Sequence, residues 1–407
     1  MDKRRVVITG IGVISALGNN ANEFWDSISN GRSGIGPIKG IDMSDFRFDN
    51  GAEVKGFDAL EHFDERFVEW LDPFCQFGIV SAREAIVDSG IEFTEDLQEK
   101  TGVITGSCLG GQTTLDDLFY KTYALNKHRG RPGNIPAIMA NAVASQVSME
   151  FGLKGASFTT ATACSSANHA IGQAFWLVRQ GTLDAALAGG SEAPFSYGHL
   201  RAWEGMRVVS PDTCRPFSKD RNGMILGEGG TMFVMESLDQ AQARGAKIYA
   251  EIAGFGMSAD AHHLTMPLAA GAAKAMRQAL EDGGIAPGQV GYVNAHGTAT
   301  QANDVMESEA IRAVFGSHAD NVAVSSTKSM HGHTLGAAGA IESAATILAL
   351  HNDLLPPTAN FTELDPECNI DVIANKARPA EVEAAISNSF AFGGLNAVLA
   401  FKKWTGS

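Results

Sequence analysis

Short apolar runs rich in β-forming residues recur along the chain, and small-residue segments with helical spacing separate them. The runs cover residues 6–9, 101–105, 184–190, 231–236, 248–254, 290–294 and 322–326. Strands that alternate with helices in sequence pack as a largely parallel sheet with helices on its faces, so the pattern predicts an α/β fold. Since 407 residues exceed one ordinary hydrophobic core, we expect two halves that share a buried interior.

The two halves are expected to meet where a helix signal ends and a new strand begins. The helical pattern of residues 238–244 stops at Gly245, and the next apolar run starts at residue 248. We therefore predict an N-terminal half of residues 1–247 and a C-terminal half of residues 248–407. Strands followed by helices occur in both halves, but no sequence repeat establishes a duplication.

Charge and composition exclude several classes of protein. A formal net charge of −15 opposes binding to nucleic acid and to anionic membranes. Gly10, Gly12 and Gly18 interrupt the first apolar run, which favours a strand and turn over a signal peptide. Residues 155–178 carry no charged side chain, but their polar residues favour a deeply buried core segment over a membrane span. We expect a cytoplasmic protein.

The cysteines and glycines give no sign of a metal or a nucleotide cofactor. The five cysteines are odd in number and form no Cys-x-x-Cys pair, so the sequence predicts neither a disulfide framework nor a metal site. Gly10-Ile-Gly12 begins a dinucleotide-binding pattern, but the next glycine stands at 18 and no acidic residue matches. We expect no resident cofactor.

One cysteine, Cys164, stands directly before a segment with the spacing of a buried helix. Ala167, Ile171, Phe175 and Val178 fall on one face of that helix. A thiol at a helix N-terminus lies beside unpaired N–H groups and the positive end of the helix dipole, which favour the thiolate that attacks carbonyl carbons. An isolated cysteine is more often a small buried apolar residue, so its assignment depends on its partners.

Two histidines follow predicted strands. His296 comes after residues 290–294, and His333 comes after residues 322–326 and before a helical run at 336–351. Strand ends are where open α/β sheets build their sites. Two neutral imidazoles could donate hydrogen bonds to a developing thioester enolate, as decarboxylative acyl transfer requires. A cysteine with one histidine would suit a thiol protease equally well.

The C-terminal segment has the pattern of a strand, a tight turn at Gly393-Gly394 and a second strand. Consecutive glycines let the backbone approach a ligand closely. The turn is therefore a candidate source of an N–H group that binds an oxyanion.

Together these segments resemble the elongating β-ketoacyl-acyl-carrier-protein synthases of the thiolase superfamily. The matching motifs span essentially the whole chain. In chain order they are Arg5-Val-Val-Ile-Thr-Gly-Ile-Gly, Ala161-Thr-Ala-Cys164-Ser, Val293-Asn-Ala-His296-Gly-Thr, Ser325-Ser-Thr-Lys328-Ser-Met, Gly332-His333, Leu335-Gly-Ala-Ala-Gly and Ser387-Asn-Ser-Phe390. The resemblance implies a five-layer αβαβα fold built by duplication and a condensing acyltransferase of fatty-acid-type chain elongation.

The resemblance also implies a role for each matching residue. Cys164 would take an acyl group from acyl carrier protein, and His296 and His333 would hold the malonyl thioester oxygen during decarboxylation. The backbone N–H groups of Cys164 and Phe392 would form the oxyanion hole, and the Phe392 ring would gate the site. The other expected site residues are Lys328 and Glu342, a buried pair that supports the histidines or is purely structural; Thr298 and Thr300, for the phosphopantetheine arm; and Leu109 and Phe390, for the substrate.

The chain departs from the family pattern at positions near the site. His331 stands where threonine is usual, and two histidines so close together are a weak zinc signal, so we predict packing or a role behind the catalytic histidine. Ala391 and Leu395 replace the usual Gly and Thr of the last turn, which predicts a gating loop that moves differently. Met224 replaces a common Phe, so we expect it to alter the wall beside the cysteine and to contact substrate.

An acidic acyl carrier protein is the expected partner, and it needs a local basic patch on this acidic chain. Glu69 and Trp70 stand where fatty-acid enzymes commonly present basic residues. We therefore keep an alternative, a ketosynthase subunit of a type II polyketide, polyene or nodulation-type pathway with a dedicated carrier protein. The assembly would be a homodimer, or a heterodimer with a chain-length-factor-like subunit. The basic candidates that remain are Arg129, Arg131, Arg201 and Arg207.

Three related classes fit less well. A non-catalytic chain-length partner lacks the cysteine, and Cys164 is present. A degradative thiolase has a second catalytic cysteine near the C terminus, where this chain has Phe390-Ala-Phe392-Gly-Gly and where Cys368 is expected in a polar loop. An initiating synthase uses Cys, His and Asn, and His333 argues against that set.

Overall fold

The computed structural model describes residues 4–406, in which the strands form one large mixed sheet and two small two-stranded sheets. The strands in chain order are β1 (Val6–Ser15), β2 (Gly36–Pro37), β3 (Asn50–Gly51), β4 (Thr101–Gly106), β5 (Ser157–Thr160), β6 (Ala185–Glu192), β7 (Gly229–Ser237), β8 (Ala250–Ala259), β9 (Val290–Asn294), β10 (Ala323–Ser325), β11 (Leu354–Leu355), β12 (Asp371–Val372), β13 (Arg378–Pro379), β14 (Ala384–Ala391) and β15 (Leu395–Lys403).

The α-helices connect and cover these strands. In chain order they are α1 (Ala21–Ser29), α2 (Glu65–Val68), α3 (Pro73–Ser89), α4 (Glu95–Glu99), α5 (Gln112–Phe119), α6 (Asn134–Ile138), α7 (Ala142–Phe151), α8 (Ser166–Arg179), α9 (Tyr197–Met206), α10 (Leu238–Ala243), α11 (Ala269–Asp282), α12 (Gln301–Phe315), α13 (Lys328–His331) and α14 (Ala338–Asn352). A π-helical turn follows α5 at Tyr120–Ala124.

The large sheet consists of two sets of strands with the same order. One set runs β5-β4-β6-β7-β1, and the other runs β10-β9-β14-β15-β8 with β12 added at its edge. If the strands of each set are numbered 1 to 5 in chain order, their spatial order in both sets is 3-2-4-5-1. In both sets, strands 3, 2 and 4 are parallel to one another, whereas strand 5 is antiparallel to its neighbours 4 and 1. Antiparallel pairing of β1 with β8 joins the sets. This repeat is the duplication that the resemblance implies, whereas the boundary at residues 247 and 248 stays a prediction.

Helices lie in three layers around the two sets of strands. Helices α8 and α14 pack against each other, and each contacts strands of both sets, so they form the middle layer. Helices α3 and α7 cover the outer face of the first set, and α11, with α12 packed on it, covers the second. The layers therefore follow the order α, β, α, β, α, and the predicted α/β fold of five layers is confirmed.

Small residues allow these layers to approach closely. A Cβ atom on Gly10 would lie 2.0 Å from the carbonyl oxygen of Ala85, and one on Gly12 would lie 1.9 Å from that of Ser81. These glycines, which begin the failed dinucleotide pattern, therefore let α3 pack directly on β1. Helix α14 is buried on all its faces along residues 338–350, as expected for a helix enclosed between two sheets.

The predicted strands are present, with ends that shift by a few residues, whereas residues 155–178 differ from the expectation of a deeply buried segment. Their first part forms β5 at the edge of the sheet, where residues 156–158 are exposed. The buried part is the inner face of α8. Cys368, expected in a polar loop, is also buried. Between residues 4 and 406, no helix is long and apolar enough to cross a membrane.

Candidate active site

A cavity of about 70 Å³ is lined by loops and strand ends from both halves of the chain. It brings together residues from both halves of the chain, including the predicted nucleophile and both predicted histidines. The predicted site residues that line it are Cys164, Met224, His296, Thr298, Thr300, His333, Phe390 and Phe392. Loops more than a hundred residues apart in sequence thus meet at one place.

Cys164 stands in the turn between β5 and α8 and is 8% exposed. Ala163, with a left-handed φ of 51°, turns the chain toward the helix, and the backbone N–H of Phe392 donates a hydrogen bond to the thiol. Burial raises the pKa of Cys164 to about 11, although the charge of Lys328 lowers it. Desolvation therefore outweighs any contribution of the helix N-terminus, and burial favours the thiol over the thiolate at this enclosed site.

His296 and His333 face each other in the cavity. Their ring centroids lie 5.4 Å apart with an interplanar angle of 85°. The backbone N–H of His333 donates to the carbonyl oxygen of Ile225 at 2.6 Å, which fixes its loop. Burial, and then the nearby charge of Lys328, lower the pKa of both rings well below the usual 6.5. Both imidazoles are consequently neutral at physiological pH, the form that decarboxylative chemistry needs.

Lys328 and Glu342 form a buried ion pair behind His296. Both side chains are fully buried, and the ammonium group contacts the carboxylate. Burial raises the pKa of Glu342 to about 7, and Lys328 opposes that shift. Lys328 Nζ also lies 3.4 Å from His296 Nδ1. Since an ammonium group only donates, His296 Nδ1 accepts this hydrogen bond, and the ring proton resides on Nε2.

The hydroxyl and phenyl groups expected to bind substrate share the cavity with His296. Thr298 Oγ1 and Thr300 Oγ1 are hydrogen-bonded at 2.8 Å. Phe390, near the end of β14, places its ring centroid 6.0 Å from that of His296. The cavity therefore combines hydroxyl groups with an aromatic ring beside one histidine.

An aromatic stack forms one edge of the cavity. The Phe392 ring, 37% exposed, lies 6.2 Å from the Trp203 ring at an interplanar angle of 29°. Trp203 is on α9, and its Nε1–H donates to His199 Nε2, one turn earlier, at 2.7 Å. Phe392 thus stacks on an anchored indole. No sequence pattern used above indicates Trp203 or His199.

Leu109 and His331, like the Lys328–Glu342 pair, lie outside the cavity lining. Leu109 packs with Met224 and Leu335 in an apolar cluster. Leu109 and Met224 were both expected to contact substrate, but only Met224 lines the cavity. His331 is fully buried, and its Nε2 lies 3.0 Å from Thr327 Oγ1, which agrees with the expected packing. Across the described part of the chain, no group of three His, Cys, Asp or Glu side chains is placed to hold a metal ion.

A buried glutamate that the sequence pattern does not reveal fixes the His296 loop. Glu307, on α12, accepts the backbone N–H groups of His296 and Gly297, each at 2.8 Å. It also accepts from Asn388 Nδ2 at 3.0 Å. Asn303 Nδ2 is a fourth donor, at 3.4 Å. Because these donors hold its carboxyl group, Glu307 fixes the backbone on which the histidine stands.

A second buried glutamate joins the two halves beside the cavity. Glu192, at the end of β6, accepts the backbone N–H groups of Cys108 at 2.7 Å and of Gly336 at 3.1 Å. Cys108 follows β4, whereas Gly336 belongs to the turn after His333. The sequence signal that could have revealed Glu192 is an acidic residue at the end of an apolar strand, because a glutamate is rarely buried without hydrogen-bonding partners.

A loop at residues 260–268, which has no marked pattern, supplies the rest of the rim. Residues 263–267 line the cavity. The backbone N–H of Gly393 donates to the carbonyl oxygen of Leu264 at 2.7 Å, and that of Asp260 donates to Gly394 at 2.9 Å. The rim loop is therefore hydrogen-bonded to the turn that carries Phe392.

The residues considered for carrier binding differ in their surroundings. Glu69 and Trp70 are exposed, and Arg131 Nη1 lies 3.9 Å from Glu69 Oε1. Arg201 instead packs its guanidinium group over the Phe46 ring, 3.8 Å from the ring centroid. Arg207 is exposed. A surface depression of about 230 Å³ is lined by Lys121, Lys127, Arg129 and Arg131, together with Asp117, which pairs with Lys121 at 2.6 Å.

Two family models match the chain. "Beta-ketoacyl synthase, N-terminal domain" covers residues 3–241, and "Beta-ketoacyl synthase, C-terminal domain" covers residues 249–362. The chain therefore belongs to the β-ketoacyl synthase family of acyltransferases.

Named relatives are similar over essentially their whole length. Nodulation protein E of Rhizobium sp. (strain N33) is 47% identical over 402 residues, which cover 98% of this chain and 99% of that protein. 3-Oxoacyl-[acyl-carrier-protein] synthase 2 of Synechocystis sp. (strain ATCC 27184 / PCC 6803 / Kazusa) is 42% identical over 414 residues, which cover 99% of each. The predicted resemblance to elongating synthases and to nodulation-type enzymes is confirmed.

Solved structures agree with these relatives. The ishigamide ketosynthase/chain length factor superposes with a TM-score of 0.94 at 36% identity, covering 99% of this chain and 100% of that one. A type II polyketide acyl-carrier protein in complex with its ketosynthase, AntDE:AntF, includes a chain that superposes with a TM-score of 0.90 at 30% identity, covering 99% and 100%. Relatives of this fold thus work with carrier proteins and with chain length factors.

Proposed function

We propose that this chain catalyses the decarboxylative Claisen condensation of an acyl chain with malonyl-acyl carrier protein. In the first half-reaction the Cys164 sulfur attacks the acyl thioester, and the carrier thiol leaves with the proton that Cys164 gives up. In the second, the malonyl group loses carbon dioxide, and the resulting carbanion attacks the Cys164 thioester. The Cys164 sulfur then leaves and is reprotonated, which releases a lengthened β-ketoacyl-carrier protein.

The observation that carries this proposal is a thiol beside two neutral imidazoles in one enclosed cavity. Decarboxylation moves negative charge onto the thioester oxygen, and N–H groups of His296 and His333 would stabilise that charge. A neutral imidazole donates its hydrogen bond without surrendering the proton. In enclosed sites, losing one such donor costs about 10²–10³ in rate.

Other site residues support these steps. Lys328, paired with Glu342, would hold His296 in the tautomer that donates from Nε2. The backbone N–H groups of Cys164 and Phe392 would bind the oxyanion of each tetrahedral intermediate. The hydroxyls of Thr298 and Thr300 would bind the phosphopantetheine arm, which arrives on the carrier protein, so the steps need no resident cofactor.

Intact-mass spectrometry tests the nucleophile. Wild type and Cys164→Ala are incubated with acyl-carrier protein, with Cys75→Ala, a buried cysteine outside the cavity, as the matched control. We expect an acyl adduct on wild type and on Cys75→Ala and none on Cys164→Ala. An adduct of equal yield on Cys164→Ala would refute the assignment.

Release of carbon dioxide from malonyl-carrier protein tests the histidines. We expect His296→Ala and His333→Ala to retain the acyl adduct while decarboxylation falls by about 10²–10³. Decarboxylation at the wild-type rate in either variant would remove that histidine from the mechanism. Loss of the adduct with normal decarboxylation would reverse the proposed roles.

We further propose that the partner is a dedicated acyl carrier protein. The exposed Glu69 and Trp70 support a docking surface unlike that of a housekeeping synthase, and the basic depression offers cations to an acidic partner. We expect Lys127→Glu to slow acylation by the cognate carrier, whereas Lys274→Glu, an exposed lysine on α11, should not. Equal condensation rates with housekeeping and cognate carriers would contradict a dedicated partner.

A second subunit is the proposed cover of the edge strand β5. Its Phe158 is 37% exposed, and the unpaired backbone N–H and C=O groups of an edge strand invite pairing with another chain. The occupant is a second copy or a chain-length-factor-like subunit. Sedimentation should give a particle of about twice the chain mass, either for the chain alone or for the chain mixed with that subunit. Phe158→Lys should lower this mass, whereas the control Val87→Lys, on α3, should leave it unchanged. A monomer under both conditions would refute this assembly.

The alternative function, a ketosynthase of a type II polyketide or nodulation-type pathway, is favoured by the similarity to Nodulation protein E and to the ishigamide ketosynthase/chain length factor. Mass analysis of products from a series of acyl-carrier substrates separates it from ordinary fatty-acid elongation. For either function we propose a cytoplasmic location, supported by five cysteines that are all free thiols.

A further inference from the structure

The apolar wall of the cavity contains an aromatic ring that is held in place by a hydrogen bond. We propose that Trp203 determines which acyl groups Cys164 accepts and that His199 is the positioning residue that fixes its indole. Together they select unbranched acyl chains over chains branched near the thioester. The inference rests on the proposed function, because it assumes that Cys164 carries the acyl group.

The residues that line the cavity divide into a polar group and an apolar group. Thr298 and Thr300 supply hydroxyls. Apolar surface comes from Trp203, Val208 and Met224, which pack in one apolar cluster, and from the rim loop and the turn that carries Phe392. An acyl chain carried by Cys164 avoids the polar group because hydroxyls prefer hydrogen-bonding partners. The first carbons of the acyl chain therefore lie against the group that contains Trp203.

Trp203 is the least adaptable member of this apolar group. Its only N–H donates to His199 Nε2 at 2.7 Å, and its ring stacks on that of Phe392. Burial lowers the pKa of His199 to about 4, with the charge of Asp116 opposing, so the acceptor stays neutral. Met224, by contrast, has a flexible unbranched side chain. The indole thus sets the width of the cavity, whereas Met224 adapts to its contents.

The size of the cavity makes that width decisive. The cavity has a volume of about 70 Å³, so an acyl group on Cys164 would contact the side chains that line it. A linear chain can extend from such a space once flexible side chains move. A methyl branch at the second or third carbon needs width beside the thioester, within the cavity that Cys164 and Trp203 both line. One methylene in an apolar pocket changes discrimination by about 10–200-fold.

The test compares acylation of Cys164 by butyryl-carrier and isobutyryl-carrier protein, followed by intact mass as the ratio of kcat/KM values. Trp203→Ala should lower the ratio of linear to branched substrate by about tenfold or more, and Trp203→Phe should lower it less. His199→Phe keeps a ring but removes the acceptor, so it should lower the ratio as well. His199→Gln restores an acceptor and should restore the ratio. The indole N–H resonance of Trp203 should shift in His199→Phe and return in His199→Gln.

Trp176→Phe is the matched control, because Trp176 also donates its indole N–H, to Asp282 at 3.2 Å, but lies outside the cavity. Its ratio should equal that of wild type. An unchanged ratio in both Trp203 variants would overturn the inference. If the ratio changes in the Trp203 variants but not in His199→Phe, the positioning role of His199 is overturned. Trp203→Phe and His199→Phe decide the question if Trp203→Ala does not fold. If wild type accepts neither substrate, the proposed function fails instead.

Discussion

Replacing Lys328 by methionine removes the cation from a buried ion pair and should weaken the fold as well as the site. Lys328 and Glu342 are both fully buried, and their charged groups are in contact. The second carboxylate oxygen of Glu342 has no other hydrogen-bond partner among the described residues. Without Lys328, this carboxyl group would have to bind a proton or remain as an unpaired buried charge.

The expected cost follows from that geometry. Removing one partner of a buried ion pair costs about 3–5 kcal/mol, a large part of the roughly 5–15 kcal/mol that stabilises a typical protein. Replacing both partners by apolar residues is close to neutral or stabilising by about 1–4 kcal/mol. We therefore expect Lys328→Met to cost about 3–5 kcal/mol and Lys328→Met/Glu342→Leu to cost about zero.

The cost should also depend on pH. Without Lys328, the pKa of Glu342 in the folded protein lies further above its value in the unfolded chain. The folded state then binds the extra proton, so stability is highest below the unfolded pKa and is lost as pH rises through the folded pKa. The deficit of Lys328→Met should accordingly be larger at pH 8 than at pH 6.

Urea unfolding of wild type, both single variants and the double variant measures these differences, provided that the slope with urea stays constant. A cost below about 1 kcal/mol for Lys328→Met, or a double variant as unstable as Lys328→Met, would refute the account of a mutually compensated pair. A decarboxylation assay distinguishes the pair's support of His296 from its contribution to stability. The stable double variant should decarboxylate malonyl-carrier protein slowly because His296 has lost its support, and a wild-type rate would leave the pair purely structural.

Three further predictions concern buried titratable groups. Glu307→Gln should slow decarboxylation by about tenfold to hundredfold, because the backbone of His296 loses a charged acceptor; a wild-type rate would contradict this. The pKa of His331 is lowered by burial to about 3, so stability should fall as pH drops below about 6.5; His331→Thr should make the urea midpoint less sensitive to acid. Burial raises the pKa of Glu228 to about 8, so the wild type should lose stability as pH rises from about 4.3 to that value. Glu228→Gln should remove that loss between pH 6 and pH 9, and equal midpoint changes in both proteins would count against it.

Local pattern was sufficient for the elements and for the reactive residues. Strands such as β9 were predictable because burial between two helix layers favours apolar residues along them, although β9 ends in the buried Asn294. His296 and His333 were predictable because each follows a predicted strand, and strand ends converge in α/β folds. Cys164 was predictable because it directly precedes the helical pattern of α8. The short strand β5 was missed because its edge position leaves polar residues on it, which weakens the apolar signal.

Features that depend on contacts between distant segments could not be predicted in the same way. The net shift in the pKa of Cys164 depends on how completely other loops enclose it, and the local helix terminus does not reveal that enclosure. Glu307 and Glu192 act on backbone groups of loops remote in sequence. His199 and Trp203 are a turn apart on one helix, but their importance comes from Phe392, nearly two hundred residues further on.

The repeated strand order places the nucleophile and one histidine in corresponding positions. Cys164 lies between strand β5 and helix α8, and His333 lies between strand β10 and helix α14, the equivalent elements of the other set. In the proposed mechanism, acceptance of the acyl group and release of carbon dioxide therefore reside on separate copies of one architectural unit. Substitutions in the first copy, including α9 and its tryptophan, would then change which acyl chains are accepted without altering the second copy, which carries both histidines.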